Sequence, residues 1–296
     1  MTTKNQIDIT DIILDFDGTC TQIPAIFEEY LEQYRINFTK EVGSLSDEEW
    51  KQAQEAVRQH SPRAGWTLGG AAAAPAAADP YILADEAAKF VLRRREQKIS
   101  LPPSLNADAY TANHAPWREE ALDTFLRLLE RKARIHFVSN SSSVMINKRL
   151  DELFGENLPG DISVHSDAGK FRVGELMWDD GLALPPAAQA SFQVLPVAHY
   201  DDAARGPGRP MYLRRGAYFE AIYRALEGNL NALESTVFCG DIWEMDLAMP
   251  YALGANVHLL ERAAPFDTYS YEREGINECG ERAKTSENLS GLLDWF

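Results

Sequence analysis

Five short apolar runs punctuate the chain: residues 9–14, 135–139 (IHFVS), 161–165 (DISVH), 236–240 (TVFCG) and 256–260 (NVHLL). Each is too short for a typical helix and predicts a buried strand, the third being the least apolar. Between them the period changes. Leu122, Phe125, Leu126 and Leu129 recur at i, i+3, i+4, i+7, the spacing of one helix face, and Phe219, Ile222, Tyr223 and Leu226 do the same. Strands alternating with helices predict a parallel sheet with helices on both sides. In such sheets, sites form at the carboxyl ends of the strands.

Two stretches break the alternation. Residues 23–114 show no strand pattern. Ile26, Phe27, Tyr30, Leu31 and Tyr34 predict an amphipathic helix. A second helix is predicted over 47–58, capped by Ser46, and a third over 79–95. GWTLGGAAAAPAAADP between them predicts an irregular connector. A block of this length is too long for a loop and predicts a separate helical lid. The second stretch, residues 171–209, carries the turn signals Asp179-Asp180-Gly181 and Gly206-Pro207-Gly208 and predicts an insertion with a hairpin.

Composition adds limits. The 296 residues suit a core domain with a smaller second one, and 45% hydrophobic with 25% charged residues is ordinary for a globular protein. A net charge of −16 disfavours nucleic acid and anionic membranes as partners. No apolar run is long enough to span a bilayer, and MTTKNQIDITD lacks the apolar core of a secretory signal, so a cytoplasmic location is expected. Cys20, Cys239 and Cys279 are expected to be reduced thiols filling space. The run Arg93-Arg94-Arg95 is expected to be a solvated face. The oligomeric state is not encoded in any visible pattern.

The candidate chemistry sits at the strand ends. Asp15 and Asp17 follow the first run in ILDFDGTCT. Side chains two apart on a strand share a face, so both carboxylates are predicted to point the same way. Two such neighbours repel, and a divalent cation is the simplest offset. A calcium-binding EF-hand loop is excluded, because Gly18 stands fourth in the run rather than sixth. Ser139 ends the second run in FVSNSS, with Asn140 next. These groups could donate to an anion at a helix N-terminus, or the serine could cap that helix. In CGDIWEMD, Asp241 follows the fourth run and Asp246 lies five residues on. Oxygen ligands from several strand ends suit a hard cation such as Mg²⁺, although aspartates also serve near helix starts.

Together these motifs resemble the signature of the haloacid dehalogenase-like (HAD) superfamily in its phosphatase branch. Asp15, Asp17, Gly18 and Thr19 match its D-x-D-G-T motif, Ser139 its second motif, and Gly240, Asp241 and Asp246 its G-D-x-x-x-x-D motif. The continuation DLAMPYALGANV is similar to the family's D-x-x-x-A-x-x-A-G run. The third motif, a lysine opening the helix before the fourth strand, is missing. That position reads YLRRGAYFEAI. Arg215 is the preferred substitute, ahead of Arg214 and of Lys170 in SDAGKF; the arginines could also be solvated helix-start residues.

The resemblance implies an α/β fold, a three-layer Rossmann-like parallel sheet core over residues 1–22 and 115–296 with an inserted, mainly helical cap over 23–114. It implies Mg²⁺-dependent phosphoryl transfer through an aspartyl-phosphate. Asp15 would be the nucleophile, and Asp17 the acid and then the base. Asp15, the Asp17 carbonyl and Asp241 would hold the metal, with Asp246 ligating or orienting. Ser139, Asn140 and the cation would bind phosphoryl oxygens. The expected activity is hydrolysis of a small phosphorylated metabolite. A phosphomutase-type transferase, or a degenerate binding protein suggested by the missing lysine, are the alternatives.

Overall fold

The computed structural model describes residues 8–155, 158–176, 184–199 and 206–296. The chain opens with β1 (Asp11–Leu14), then α1 (Phe27–Val42), α2 (Asp47–His60), β2 (Gly65–Leu68), β3 (Ala71–Pro75), α3 (Pro80–Arg94) and α4 (Ser104–Ala112). Next come α5 (Ala121–Glu130), β4 (Arg134–Val138), α6 (Ser143–Phe154), β5 (Ile162–His165), α7 (Pro186–Gln193), β6 (Ala198–His199) and β7 (Met211–Tyr212). The last elements are α8 (Gly216–Ala225), β8 (Thr236–Gly240), α9 (Ala248–Ala252), β9 (Asn256–Leu260), α10 (Ser270–Glu278) and β10 (Ala283–Ser286).

Six strands form one parallel sheet in the order β10-β9-β8-β1-β4-β5. Side-chain alternation along β1 divides the core. Ile13 packs with α7, α8 and the 243–249 segment on one face. Ile12 and Leu14 pack with α5, α6 and the C-terminal residues on the other. This is a three-layer Rossmann-like α/β architecture. The chain leaves β1 in both directions of the sheet, so the crevice at a topological switch point opens above it. Leu14 lies level with Phe137 of β4 and Cys239 of β8, which brings residues 15, 138–139 and 240–241 to a common edge.

The five expected strands are all present. A sixth, β10, was not marked by its AKTS sequence, which is polar and half-buried at the sheet edge. Helices α1–α4 share a separate apolar cluster built on Tyr30, Tyr34, Phe38, Trp50 and Leu83, and Phe266 of the β9–α10 loop completes it. Ser46 caps α2, accepting from the Glu49 amide at 3.2 Å, and Asp79 caps α3, accepting from the Ile82 amide at 2.7 Å.

Three expectations need correction. The connector between α2 and α3 is not irregular: β2 and β3 pair antiparallel across the Gly69-Gly70 turn. Its alanine-rich strand lacks the β-branched residues that signal a strand. On α5 the buried face is Ala121, Thr124, Phe125 and Leu128, while Leu122 and Leu126 are 37% and 44% exposed. The small Ala121 and Thr124 let the helix approach the sheet, and a count of large apolar residues points to the wrong side. Arg95 is not simply solvated, because it pairs with Glu49 of α2. In the 171–209 stretch lies β6, which pairs antiparallel with β7 just beyond it. The Asp179-Asp180-Gly181 turn lies outside the described residues.

Candidate active site

Three chain segments converge above β1. Asp15 is fixed at the sheet edge by its backbone N–H, which donates to the Cys239 carbonyl at 2.9 Å. Gly18 turns the chain with φ of +82°, and a Cβ there would lie 2.6 Å from Asp241 Oδ2. Gly240 is equally forced: a Cβ would meet that of Asp246 at 2.3 Å. Only glycine at both positions lets the two acidic motifs close on each other.

Asp15, Asp241 and Asp246 are buried, each with a ligand atom within 4.8 Å of the others. Lys170 Nζ donates to Asp15 Oδ1 at 2.6 Å and to Asp246 Oδ1 at 3.0 Å. The other oxygen of Asp246 accepts from the Ile242 amide at 3.0 Å, and its carbonyl accepts from Tyr218 Oη at 2.8 Å. Asp246 therefore orients Lys170 and its own π-helical turn, Trp243–Leu247, with both carboxylate oxygens engaged. Asp15 Oδ2 and Asp241 Oδ1 are freer, each with the Thr19 hydroxyl at 3.4 Å.

The electrostatics are unbalanced. Burial pushes the Asp15 carboxyl up to about 7, against the pull of Lys170. Burial also raises Asp241 well above the usual carboxylate range, with Arg262 opposing. Burial disfavours the Lys170 charge, but Asp15 and Asp246 outweigh it and hold the ammonium above lysine's ordinary value. Three carboxylates facing one ammonium leave a deficit of positive charge. The oxygen-only donor set and that deficit fit a hard divalent cation.

The two carboxylates of the first motif do not face alike. β1 ends at Leu14, so strand alternation does not extend to Asp17. Its carboxylate accepts from Ser141 Oγ at 2.5 Å and from Tyr110 Oη at 2.9 and 3.0 Å. Burial raises the Asp17 carboxyl, while those two donors lower it.

Ser139 is buried, and its Oγ accepts from the Ser141 amide at 3.1 Å. It does not cap a helix; Ser142 caps α6. Asn140 Oδ1 accepts from the Lys170 amide at 2.8 Å, which ties the second-motif loop to the lysine loop. The preference for Arg215 is not met. Arg215 donates to the carbonyls of Lys170 (2.5 Å) and Ala73 (2.8 Å), and to no carboxylate among the described residues. Arg214 pairs with Glu175 at 2.8 Å, away from the cluster. Lys170 alone of the three candidates reaches the acids, because the loop after β5 crosses over the sheet edge beside Ser139. Cys20 and Cys239 are free, buried thiols beside Asp15.

The order of strands, the level carboxyl ends of β1, β4 and β8, and the acidic motifs at their tips define the topology. The chain has the haloacid dehalogenase-like fold. A predicted phosphoglycolate phosphatase from Haemophilus somnus has a similar structure, with a TM-score of 0.52 at 12% identity and 99% of each chain covered. A magnesium-bound HAD-hydrolase from Bacillus subtilis (11% identity, 97% of each chain, TM-score 0.48) and a HAD phosphatase from Thermococcus onnurineus (12%, 97% of each, 0.47) are more distant. No family model and no curated sequence matches the chain. No helix among the described residues is long and apolar enough to cross a membrane.

The sequence left Tyr110, Ser141 and Arg262 unmarked. Ser141 lies inside the FVSNSS run that was singled out, one helix position from its cap. Tyr110 stands outside every motif in the inserted segment, and only the folding of α4 onto the strand ends reveals it. Arg262 donates to the Asp241 carbonyl and pairs with buried Glu272.

Proposed function

We propose that the chain is a divalent-metal-dependent phosphomonoester hydrolase that works through a phosphorylated Asp15. The observation that carries this reading is the buried Asp15–Asp241–Asp246 cluster with Lys170 on Asp15, beside a second aspartate that has its own hydrogen-bond donors. Dehalogenation shares the fold but has no use for an acid two residues after the nucleophile, whereas expelling an alkoxide needs a proton donor.

Asp15 would attack phosphorus, and Asp17 would protonate the leaving oxygen. Asp17, then a carboxylate, would take a proton from the water that hydrolyses the acyl phosphate. Lys170 would bind a phosphoryl oxygen and keep Asp15 ionised. Mg²⁺, held by Asp15, Asp241 and the Asp17 carbonyl, would offset the charge of nucleophile and phosphate. Ser139 Oγ and the amides opening α6 would receive a phosphoryl oxygen. The lysine on Asp15 removes the main reason for a degenerate binding protein.

Phosphate release from p-nitrophenyl phosphate with and without Mg²⁺ tests the reading. Turnover is expected in the wild type, none in Asp15→Asn, and a strong loss in Asp17→Asn. Equal turnover in wild type and Asp15→Asn would overturn it.

A further inference from the structure

The π-helical turn Trp243–Leu247 carries Asp246 and begins two residues after Asp241. Three contacts anchor it. Arg262 donates to the Asp241 carbonyl, and Glu272 accepts from the Trp243 amide at 3.1 Å. The third is on Glu244, which falls between the fixed positions of the fourth motif. Its side chain is fully buried, and its two oxygens accept from Arg209 Nη2 at 2.6 Å and Nη1 at 2.9 Å. Tyr271 Oη donates to the same carboxylate at 2.9 Å.

Stability alone does not call for an ion pair at this depth, because apolar side chains of similar volume would pack there without the cost of desolvating two charges. What the fork adds is direction. Two parallel hydrogen bonds fix the plane of the carboxylate and, with it, the turn. The turn sets where Asp246 points, and Asp246 holds Lys170 against Asp15. π-turns are rare and concentrate at functional sites, where a wide turn needs outside support.

The place for Arg209 is built. Its Nε donates to the Pro62 carbonyl of the inserted segment at 3.1 Å. A Cβ on Gly65, the first residue of β2, would lie 2.7 Å from that Nε and 2.4 Å from the Ala72 Cβ. The cavity beside the acidic cluster, about 610 Å³, is lined by Gly18, Asp79, Asp241 and Phe266 among others, but by neither Arg209 nor Glu244. The pair therefore acts through the turn and not by touching a ligand in that cavity.

Resting on the phosphohydrolase reading, we propose that Arg209 and Glu244 are positioning residues, whose ion pair sets the turn so that Asp241 faces the metal and Asp246 aims Lys170 at Asp15.

Calorimetric titration of the full chain with Mg²⁺ tests this without turnover. Arg209→Met/Glu244→Leu/Tyr271→Phe replaces the whole network by apolar groups and should keep the wild-type Tm. Its Mg²⁺ Kd should nevertheless rise about tenfold, and kcat on p-nitrophenyl phosphate should fall about tenfold, the usual worth of a group that orients a ligand. Arg209→Lys keeps the charge but loses the fork, and should fall between wild type and the triple variant. It also keeps the test open if the triple variant does not fold. Arg95→Ala, which breaks the pair with Glu49 in the inserted segment, should leave the Mg²⁺ Kd unchanged. A folded triple variant with wild-type Mg²⁺ affinity, an Arg209→Lys protein equal to wild type, or an equal loss in Arg95→Ala would each overturn the assignment. A wild type that turns over no ester while these Mg²⁺ differences hold counts against the hydrolase reading alone.

Discussion

Lys170 Nζ lies 2.6 Å from Asp15 Oδ1, across 155 positions of sequence. The contact neutralises the proposed nucleophile, while a hydrogen bond to Asp246 fixes the ammonium from the other side. Lys170→Met should lower kcat by about 10²–10³-fold, the usual effect of losing one positioned charge in such a site. It should also destabilise the metal-free protein by about 3–5 kcal/mol, because Asp15 and Asp246 are left facing each other unpaired. Arg214→Ala, which breaks a pair with an exposed partner, should change activity by less than about twofold. Phosphate release and thermal melts of the two variants check both; a more damaging Arg214→Ala would return the cation role to the α8 start.

Tyr110 and Ser141 are the two side-chain donors on Asp17 among the described residues. Tyr110→Phe should reduce kcat about tenfold on alkyl phosphates, which need the acid, and much less on p-nitrophenyl phosphate, whose leaving group needs little protonation. An equal loss on both esters would show that Tyr110 supports only packing.

Metal should stabilise the fold measurably. At a hundredfold excess over Kd, a cation bound only to the native state adds about 2.7 kcal/mol. Addition of Mg²⁺ should raise Tm, and a chelator should reverse it. The gain should shrink below about pH 7, where protons compete for Asp15, itself pushed up to about 7 by burial. An Asp241→Asn protein that still gains Tm with Mg²⁺ would argue against this site.

Burial also pushes Asp79 up to about 7, from 3.8, against the Ile82 amide and Arg262. A raised carboxyl favours the folded state while protonated. Its contribution is full below about pH 4 and is lost as pH rises through 7. Asp79→Asn should therefore gain stability over wild type at pH 8 and gain less at pH 5. Denaturant midpoints at the two pH values check this; a gain independent of pH would place Asp79 outside the buried site.

Much of the core was legible because the apolar runs are short and three of them end on Asp15, Ser139 and Asp241. Asp15, Asp241 and Asp246 could be grouped from sequence because strand ends in a parallel sheet lie level. The lysine could not, since nothing local says which way the loop after β5 crosses. The β2–β3 hairpin was hidden by alanine, which signals neither strand nor turn. Tyr110 and Asp79 were hidden for another reason: they come from the inserted segment, whose placement over the site depends on packing such as Phe266 against α1.

Arg215 holds two carbonyls at once, that of Lys170 in the lysine loop and that of Ala73 in β3. Its Nε is buried with no partner of its own among the described residues, so neither acceptor is spare. Residues 23–114 are therefore not a freely exchangeable module. A chimera that grafts a different insertion onto this core would strand the guanidinium and slacken the loop that presents the ammonium, even if every acidic residue stayed in place.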